Sequence, residues 1–133
     1  MKTNRLLKQT YKNMGKTIEE ILQSKTRASI YICLLLKNSA TSDEIIENTH
    51  LYPSTVREAL SKMHEQKIIK REKIKTEGVG KNPYLYHAIP LNELLKRYVS
   101  EIENNLNKIA ELDHFLGHSK QFHINIKLTE GGQ

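Results

Sequence analysis

The sequence has a single cysteine, Cys33, and no long apolar run, and each absence excludes a class of protein. One cysteine cannot form a disulfide within the chain, so nothing favours an oxidising compartment. The most apolar stretch, "IYICLLL", has seven residues, far short of the ~20 that cross a bilayer. The basic N-terminus "MKTNRLLKQTYKNMGK" has no continuous apolar segment and no small-residue cleavage site, so it is not typical of a secretion signal. We therefore expect a soluble, cytoplasmic protein with no membrane partner.

Residue sets that perform catalysis are also missing. No Ser-His-Asp or Cys-His arrangement is visible, and "EGVGKNP" lacks the Ser/Thr that follows the lysine of a phosphate-binding loop. His114 and His118 are four residues apart on a predicted helix, with His123 nearby, but no cysteine accompanies them. Solvated histidines are therefore favoured over a metal site. We predict no enzyme activity, no cofactor and no metal.

Charge is unevenly distributed along the 133 residues, which is the length of one ordinary domain. The formal net charge is +6 and the pI is about 9.4. Residues 1–40 carry eight Lys/Arg against two Glu, residues 41–66 two against five, and residues 67–83 six against two. Two basic blocks flank an acidic one. The net positive charge of the whole chain favours an anionic partner.

The first part of the chain predicts helices. Residues 1–15 form a basic segment that could be helical, with Gly15 ending the helix, and "KTIEEILQS" continues with apolar residues on one face. The segment from Lys25 to Lys37 is apolar on nearly all sides. That pattern predicts a central helix packed against several neighbours, with Cys33 as a small core residue.

Two further helices follow, separated by a short turn. Thr41 and Glu44 have the spacing of a capping box, in which each side chain satisfies a free backbone N–H at the helix start. Pro53 suits the first turn of the next helix, because it has no N–H to leave unpaired. Apolar residues then recur at helical spacing and should face the core: Val56, Ala59, Leu60 and Met63.

The segments "KIIKREKIK" and "YLYHAI" predict two strands joined by the turn "TEGVGKNP". The turn contains two glycines, an asparagine and a proline. The predicted order over residues 16–90 is therefore helix, helix, turn, helix and a hairpin with a basic tip. The expected fold class is mainly α with a small β-hairpin wing.

In residues 91–118 the apolar residues recur every seven positions instead of every 3.6, and this heptad repeat predicts a coiled-coil helix with one polar layer. Its length would be roughly 40 Å, and a rod with one apolar stripe favours pairing with its own copy. The predicted dimer interface is Leu91, Leu95, Tyr98, Ile102, Asn105, Ile109, Leu112 and Leu116. The remaining residues, 119–133, form a tail in which "FHINIKL" alternates and could form a short strand.

These segments together resemble a winged helix-turn-helix domain of the TrmB and MarR-like archaeal and bacterial transcription regulators. The resemblance covers about residues 16–116. It rests on Tyr31 within the apolar helix, on the Ser54–Arg57 helix start, on the Gly/Lys/Pro wing, and on Ala88, Ile89 and Pro90 leading into the long helix. TrmB-type regulators carry a large C-terminal sugar-binding domain, for which these residues leave no room. We therefore do not expect sugar sensing. The wing also lacks the tip arginine found in many winged regulators.

The resemblance implies that the exposed face of the helix at residues 53–66 enters the major groove of double-stranded DNA. Since the coiled-coil rod would pair two copies, the homodimer would read a near-palindrome with half-sites about one helical turn apart. The implied DNA-binding residues are Ser54, Thr55, Arg57, Ser61, Lys62, Lys73, Lys75, Lys81 and Asn82. Arg57 could bind guanine or a phosphate, and the wing lysines would hold the DNA backbone. The alternative is a winged-helix protein adaptor in a transcription or repair assembly. The sequence identifies no small-molecule effector.

Overall fold

The structure is a computed structural model that describes residues 2–75 and 83–131, except the side chains of residues 2–8, 10 and 11. Its elements are α1 (Lys2–Leu22), α2 (Lys25–Lys37), β1 (Ala40–Thr41), α3 (Ser42–Thr49), α4 (Pro53–Glu65), β2 (Ile69–Lys73), β3 (Tyr84–Ala88) and α5 (Leu91–Phe115). They form two compact units, Met1–Ile89 and Pro90–Gln133. The predicted fold class, mainly α with a small antiparallel sheet and a long C-terminal helix, is confirmed.

Helix α2 lies at the centre of the first unit and packs against α1, α3, α4 and β3. Ile30, Tyr31 and Leu34 are buried on it, as its all-round apolar pattern predicts. Cys33 differs from the prediction, because it is half-buried at the edge of the core. It lies beside Leu36 and Thr49 in a shallow groove between α2 and α3.

Helix α1 does not end at Gly15 as predicted but continues to Leu22 and stops at Gln23, whose φ is 54°. A glycine within a helix costs only about 1 kcal/mol relative to alanine. The packing of α1 on α2, with Ile18 and Leu22 buried, outweighs that cost. Gly15 therefore lies inside a helix and does not terminate it.

The capping box at the start of α3 is confirmed. The backbone N–H of Glu44 donates to Thr41 Oγ1 at 3.3 Å, and the N–H of Thr41 donates to Glu44 Oε1 at 3.1 Å. Helix α3 ends at His50, which has left-handed backbone angles (φ 59°, ψ 23°). This tight end redirects the chain toward α4 within a few residues.

The sheet has three strands in the order β1-β3-β2, all antiparallel. Strand β1 was not predicted, since two residues are too few to show an alternating pattern. Its pairing of Ala40 with Tyr86 ties the start of α3 to the middle of the sheet. The ladder between β2 and β3 pairs Arg71 with Tyr86 and Lys73 with Tyr84.

The second unit consists of α5 and a tail that returns along it. The side-chain amide of Asn107 donates to the carbonyl oxygen of Ile124 at 2.9 Å and accepts from its N–H at 2.7 Å. The N–H of Ile126 donates to Glu103 Oε2 at 2.8 Å. Residues 118–131 contain no strand. The tail backbone bonds to helix side chains here, and so the strand suggested by "FHINIKL" is not formed in the single chain.

Candidate nucleic-acid interface

Helix α4 is held in the first unit by one face. Its four predicted core residues are all buried, with exposed fractions between 0% and 7%: Val56, Ala59, Leu60 and Met63. They pack against α2, α3 and β2. Burying one aliphatic side chain fully contributes about 1.5–3 kcal/mol to the stability of the fold. Turning α4 about its axis would expose these side chains, so its orientation is fixed. The opposite face is thereby presented outward.

The outward face of α4 carries most of the residues that the resemblance assigned to DNA binding. Ser54, Arg57, Ser61 and Lys62 are exposed, and Thr55 is half-buried. Two glutamates, at positions 58 and 65, are also exposed and offset the two cations. The face is therefore polar and nearly neutral. Such a face is better suited to forming specific hydrogen bonds than to attracting an anion by charge alone.

The N-terminus of α4 has no side-chain cap. Tyr52 occupies the cap position, is 79% exposed and makes no side-chain capping bond, and Pro53 follows it at the first helical position. The first N–H groups of the helix therefore have no side-chain cap, and the positive end of the helix dipole there favours an anion such as a phosphate.

The wing residues Lys73 and Lys75 are exposed at the end of β2. The other two predicted wing contacts, Lys81 and Asn82, lie outside the described residues. Arg71 was not among the predicted contacts, yet its guanidinium lies 4.3 Å from the centre of the Tyr84 ring. The alternation within "KREK" places Arg71 and Lys73 on one face of the ribbon and could have drawn attention to Arg71.

A crevice of about 510 Å³ lies between α4, the start of α3 and the sheet. It is lined by Arg57 and Ser61 from α4, by Arg71 and Tyr84 from the wing, and by Asp43 from α3. The structure thus brings two arginines from distant parts of the sequence to one concave surface. The remaining predicted contacts of α4 and β2 lie outside this crevice: Ser54, Thr55, Lys62, Lys73 and Lys75.

The capping box next to this crevice is charged at neutral pH. The N–H and hydroxyl of Thr41 bond the carboxylate of Glu44 and hold its pKa below the usual 4.5. The ionised carboxylate keeps the start of α3 ordered. Asp43 lies within the same turn and lines the crevice together with Ser42, so the capping box also fixes where this negative charge lies.

Other chemistry is not favoured by the described part of the chain. It contains no group of three or more His, Cys, Asp or Glu that could hold a metal ion. His114 Nδ1 lies 3.0 Å from the carbonyl oxygen of Ser119, and His118 Nδ1 lies 3.4 Å from Asp113. Burial raises the pKa of the Cys33 thiol, which opposes a nucleophilic role. Between residues 2 and 75 and between 83 and 131, no helix has the length and hydropathy to cross a membrane.

The predicted dimer stripe of α5 is largely uncovered. Leu95, Ile109, Leu112 and Leu116 are between 40% and 64% exposed. Asn105 is exposed, and the remaining members of the stripe are half-buried: Leu91, Tyr98 and Ile102. The tail bonds to Glu103 and Asn107 and therefore lies along another side of the helix.

The fold is of the winged-helix type, and comparison with known proteins identifies the family. The family described as "Sugar-specific transcriptional regulator TrmB" matches residues 24–92, more than half of the chain. The chain therefore belongs to the TrmB family, and its members are transcription regulators, not enzymes. The predicted resemblance and the predicted lack of enzyme activity are confirmed.

Among the solved structures that match this chain, those with TM-scores of 0.50 or more share the fold. A possible transcriptional regulator from Methanosarcina mazei Go1 is 22% identical, with a TM-score of 0.60, 75% of this chain covered and 86% of that chain. A mutant of S. aureus MepR bound to an oligodeoxyribonucleotide is 15% identical, with a TM-score of 0.50, 86% of this chain covered and 94% of that chain. A MarR mutant from E. coli complexed with operator DNA is 11% identical, with a TM-score of 0.46 over 88% of this chain and 92% of that chain. No curated protein matches this chain.

Proposed function

We propose that this protein is a homodimeric, cytoplasmic transcription regulator that binds double-stranded DNA in a sequence-specific manner, with α4 in the major groove and the wing on the DNA backbone. The observation that carries the proposal is the orientation of α4. One face is locked in the core, and the polar face lies next to a cationic wing. The MepR mutant that shares this fold is bound to an oligodeoxyribonucleotide, which supports a nucleic-acid partner for this chain.

The exposed side chains of α4 fit the chemistry of base edges. The major groove admits an α-helix, and the Arg57 guanidinium can form two hydrogen bonds to one guanine. Ser54, Thr55 and Ser61 can donate to bases or phosphates, and the uncapped N–H groups of α4 favour a phosphate. Lys62 at one end of the helix and Lys73 and Lys75 on the wing would neutralise the flanking backbone.

The apolar stripe of α5 supports the homodimer. Scattered apolar residues on a surface need no explanation, but a contiguous stripe at heptad spacing indicates a protein partner. Asn105 interrupts the stripe with one polar layer, and such a layer fixes the register of a paired helix. A second copy presents the same stripe and the same polar layer, so the two surfaces match each other.

DNA binding is tested by gel retardation and fluorescence anisotropy with mixed genomic fragments, followed by sequencing of the bound fraction. If each protomer neutralises about four phosphates, the slope of log affinity against log salt is about −7. Affinity then falls about 10⁴-fold between 50 and 200 mM salt. Arg57→Ala with Lys62→Ala should weaken binding to the selected site by at least tenfold, since both side chains are exposed on the proposed reading face.

A matched control for that double variant is Lys12→Ala with Lys16→Ala, which removes two exposed cations from α1. It should change affinity for all sequences alike and leave the sequence preference intact. Equal binding of the selected site by the wild type and the α4 variant would refute the proposed reading surface.

The dimer is tested by analytical ultracentrifugation. Ile109→Glu should convert the protein to monomer, because it places a charge in the apolar stripe at a position that is 64% exposed in the single chain. Asn104→Glu, at an exposed position outside the predicted stripe, is the control and should remain dimeric. A wild-type mass of one chain would exclude the dimer. No retardation of any duplex at low salt would instead favour the protein adaptor.

A further inference from the structure

Arg71 is held by an aromatic ring on the wing. Its guanidinium carbon lies 4.3 Å from the centroid of the Tyr84 ring, and that ring lies 6.1 Å from Tyr86. Arg71 pairs directly with Tyr86 and diagonally with Tyr84 across the ladder, so all three side chains share one face of the ribbon. A planar guanidinium stacks well on such a ring, whereas an ammonium group does not.

The nearest acidic residue in sequence does not neutralise Arg71. Glu72 points to the other face of the ribbon, where its Oε1 lies 3.1 Å from His87 Nε2. Arg71 is itself exposed and lines the crevice between α4 and the wing, across from Arg57 and Ser61. The edge of the guanidinium therefore remains available for an anion while its face is occupied by the ring.

We propose that Tyr84 positions Arg71 to bind a backbone phosphate of the DNA at the crevice between α4 and the wing. The inference rests on the proposed DNA-binding function and adds a contact that the sequence did not reveal. Stacking restricts the long arginine side chain before DNA arrives, so less conformational entropy is lost when the phosphate is bound. Tyr84 is a positioning residue, and Arg71 is the group that touches the DNA.

The carboxylate of Asp43 lines the same crevice and opposes the phosphate. Two arginines and one aspartate leave the crevice with a net positive charge, so a phosphate is still favoured. The proposal therefore predicts that Asp43→Asn strengthens DNA binding by about threefold at low salt, as expected when one repulsive charge near a phosphate is removed. Asp113→Asn, in the second unit, is the matched control and should leave affinity unchanged.

The main test measures duplex affinity by anisotropy over a salt series, using a random-sequence duplex so that no operator is needed. Arg71→Ala should lower affinity about tenfold at 50 mM salt and make the log–log slope less steep by about 0.9 for each engaged chain. Tyr84→Leu should lower affinity about threefold, the scale of an exposed cation–π contact. Its slope should be unchanged, because no charge is removed.

Conservative variants distinguish a positioning role of Tyr84 from a purely structural one. Tyr84→Phe keeps the ring and should bind like the wild type, whereas Arg71→Lys keeps the charge and the slope but should bind about threefold more weakly. In an Arg71→Ala background, Tyr84→Leu should have no further effect. Should Tyr84→Leu fail to fold, as judged by circular dichroism, Arg71→Lys against Tyr84→Phe still decides the question.

The outcomes are distinct. If the wild type binds DNA and Arg71→Ala binds equally well with an unchanged slope, the phosphate contact is wrong and the proposed function stands. If Tyr84→Leu weakens binding equally with and without Arg71, the ring has a structural role and the positioning role is wrong. If the wild type binds no duplex at low salt, the proposed function fails and this inference fails with it.

Discussion

The hydroxyl of Tyr31 donates a hydrogen bond of 2.7 Å to the carbonyl oxygen of Ile89, 58 residues further along the chain. Both residues are buried, with 0% and 1% of their surface exposed. The bond joins the central helix α2 to the end of the wing strand that leads out of the first unit. It therefore fixes the sheet against the same helix on which α4 packs.

Tyr31→Phe should destabilise the first unit, because it leaves a buried carbonyl oxygen without its hydroxyl donor. The expected cost is about 1–3 kcal/mol, which lowers the melting temperature by roughly 4 °C or more. Thermal denaturation followed by circular dichroism measures it. Tyr52→Phe is the control, since that ring is 79% exposed, and its melting temperature should not change. Equal melting of the Tyr31→Phe variant and the wild type would contradict this role of the bond.

Glu44→Gln should alter how stability depends on pH. The pKa of Glu44 is lowered in the folded state by the N–H and hydroxyl of Thr41. Its ionised form therefore stabilises the protein above the usual pKa of 4.5, and the stabilisation is lost as the pH falls through the lower folded value. Urea unfolding at pH 7 should show the wild type more stable than the variant, and the difference should shrink below about pH 4.5.

Glu47→Gln is the control for that experiment. Glu47 is exposed on the same helix and lies outside the capping box. Its stability difference from the wild type should be the same at pH 7 and below pH 4.5. A Glu44→Gln variant that behaves identically would show that the capping box does not carry the pH dependence.

Cys33 should react slowly with thiol reagents in the native protein. Burial raises the pKa of its thiol above the usual 9.0, although Lys37 partly offsets the shift. Since the thiolate is the reactive form, iodoacetamide alkylation at pH 8 should be several times slower than that of glutathione. Unfolding in guanidinium should restore the ordinary rate. If the native protein is alkylated as fast as the unfolded protein, the thiol is not buried and its pKa is not raised.

Asn107→Leu should release the tail from α5. One amide makes both hydrogen bonds to Ile124, and leucine offers neither a donor nor an acceptor. Hydrogen exchange at the Ile124 amide should become faster by tenfold or more, as expected when its bond is lost and the segment opens locally. Asn104→Leu changes an exposed residue of the same helix and should leave this exchange rate unchanged.

The sequence predicted those features whose causes are local. The capping box needs only Thr41 and Glu44, and the buried face of α4 follows from a spacing that a helix imposes on its own residues. Local propensity misjudged Gly15, because packing between α1 and α2 decides whether the helix continues.

Features that depend on pairing between distant segments were not predictable in the same way. The stack of Arg71 on Tyr84 requires the register of β2 against β3, which a basic strand and an aromatic strand do not define by themselves. To predict the hydrogen bonds between Asn107 and the tail, one must know that the chain reverses after Gly117 (φ 80°). Such contacts join residues 13 to 17 positions apart and produce no periodic pattern in the sequence.

The separation of tasks on α4 has an evolutionary consequence. The core contacts of α4 come from four inward side chains, whereas the residues proposed for DNA recognition contribute almost nothing to the core. If α4 reads DNA as proposed, exchanges at Ser54, Arg57 or Ser61 redirect the protein to a different promoter at little cost in stability. A duplicated copy of the gene could acquire new targets by a few surface changes, with the scaffold inherited intact.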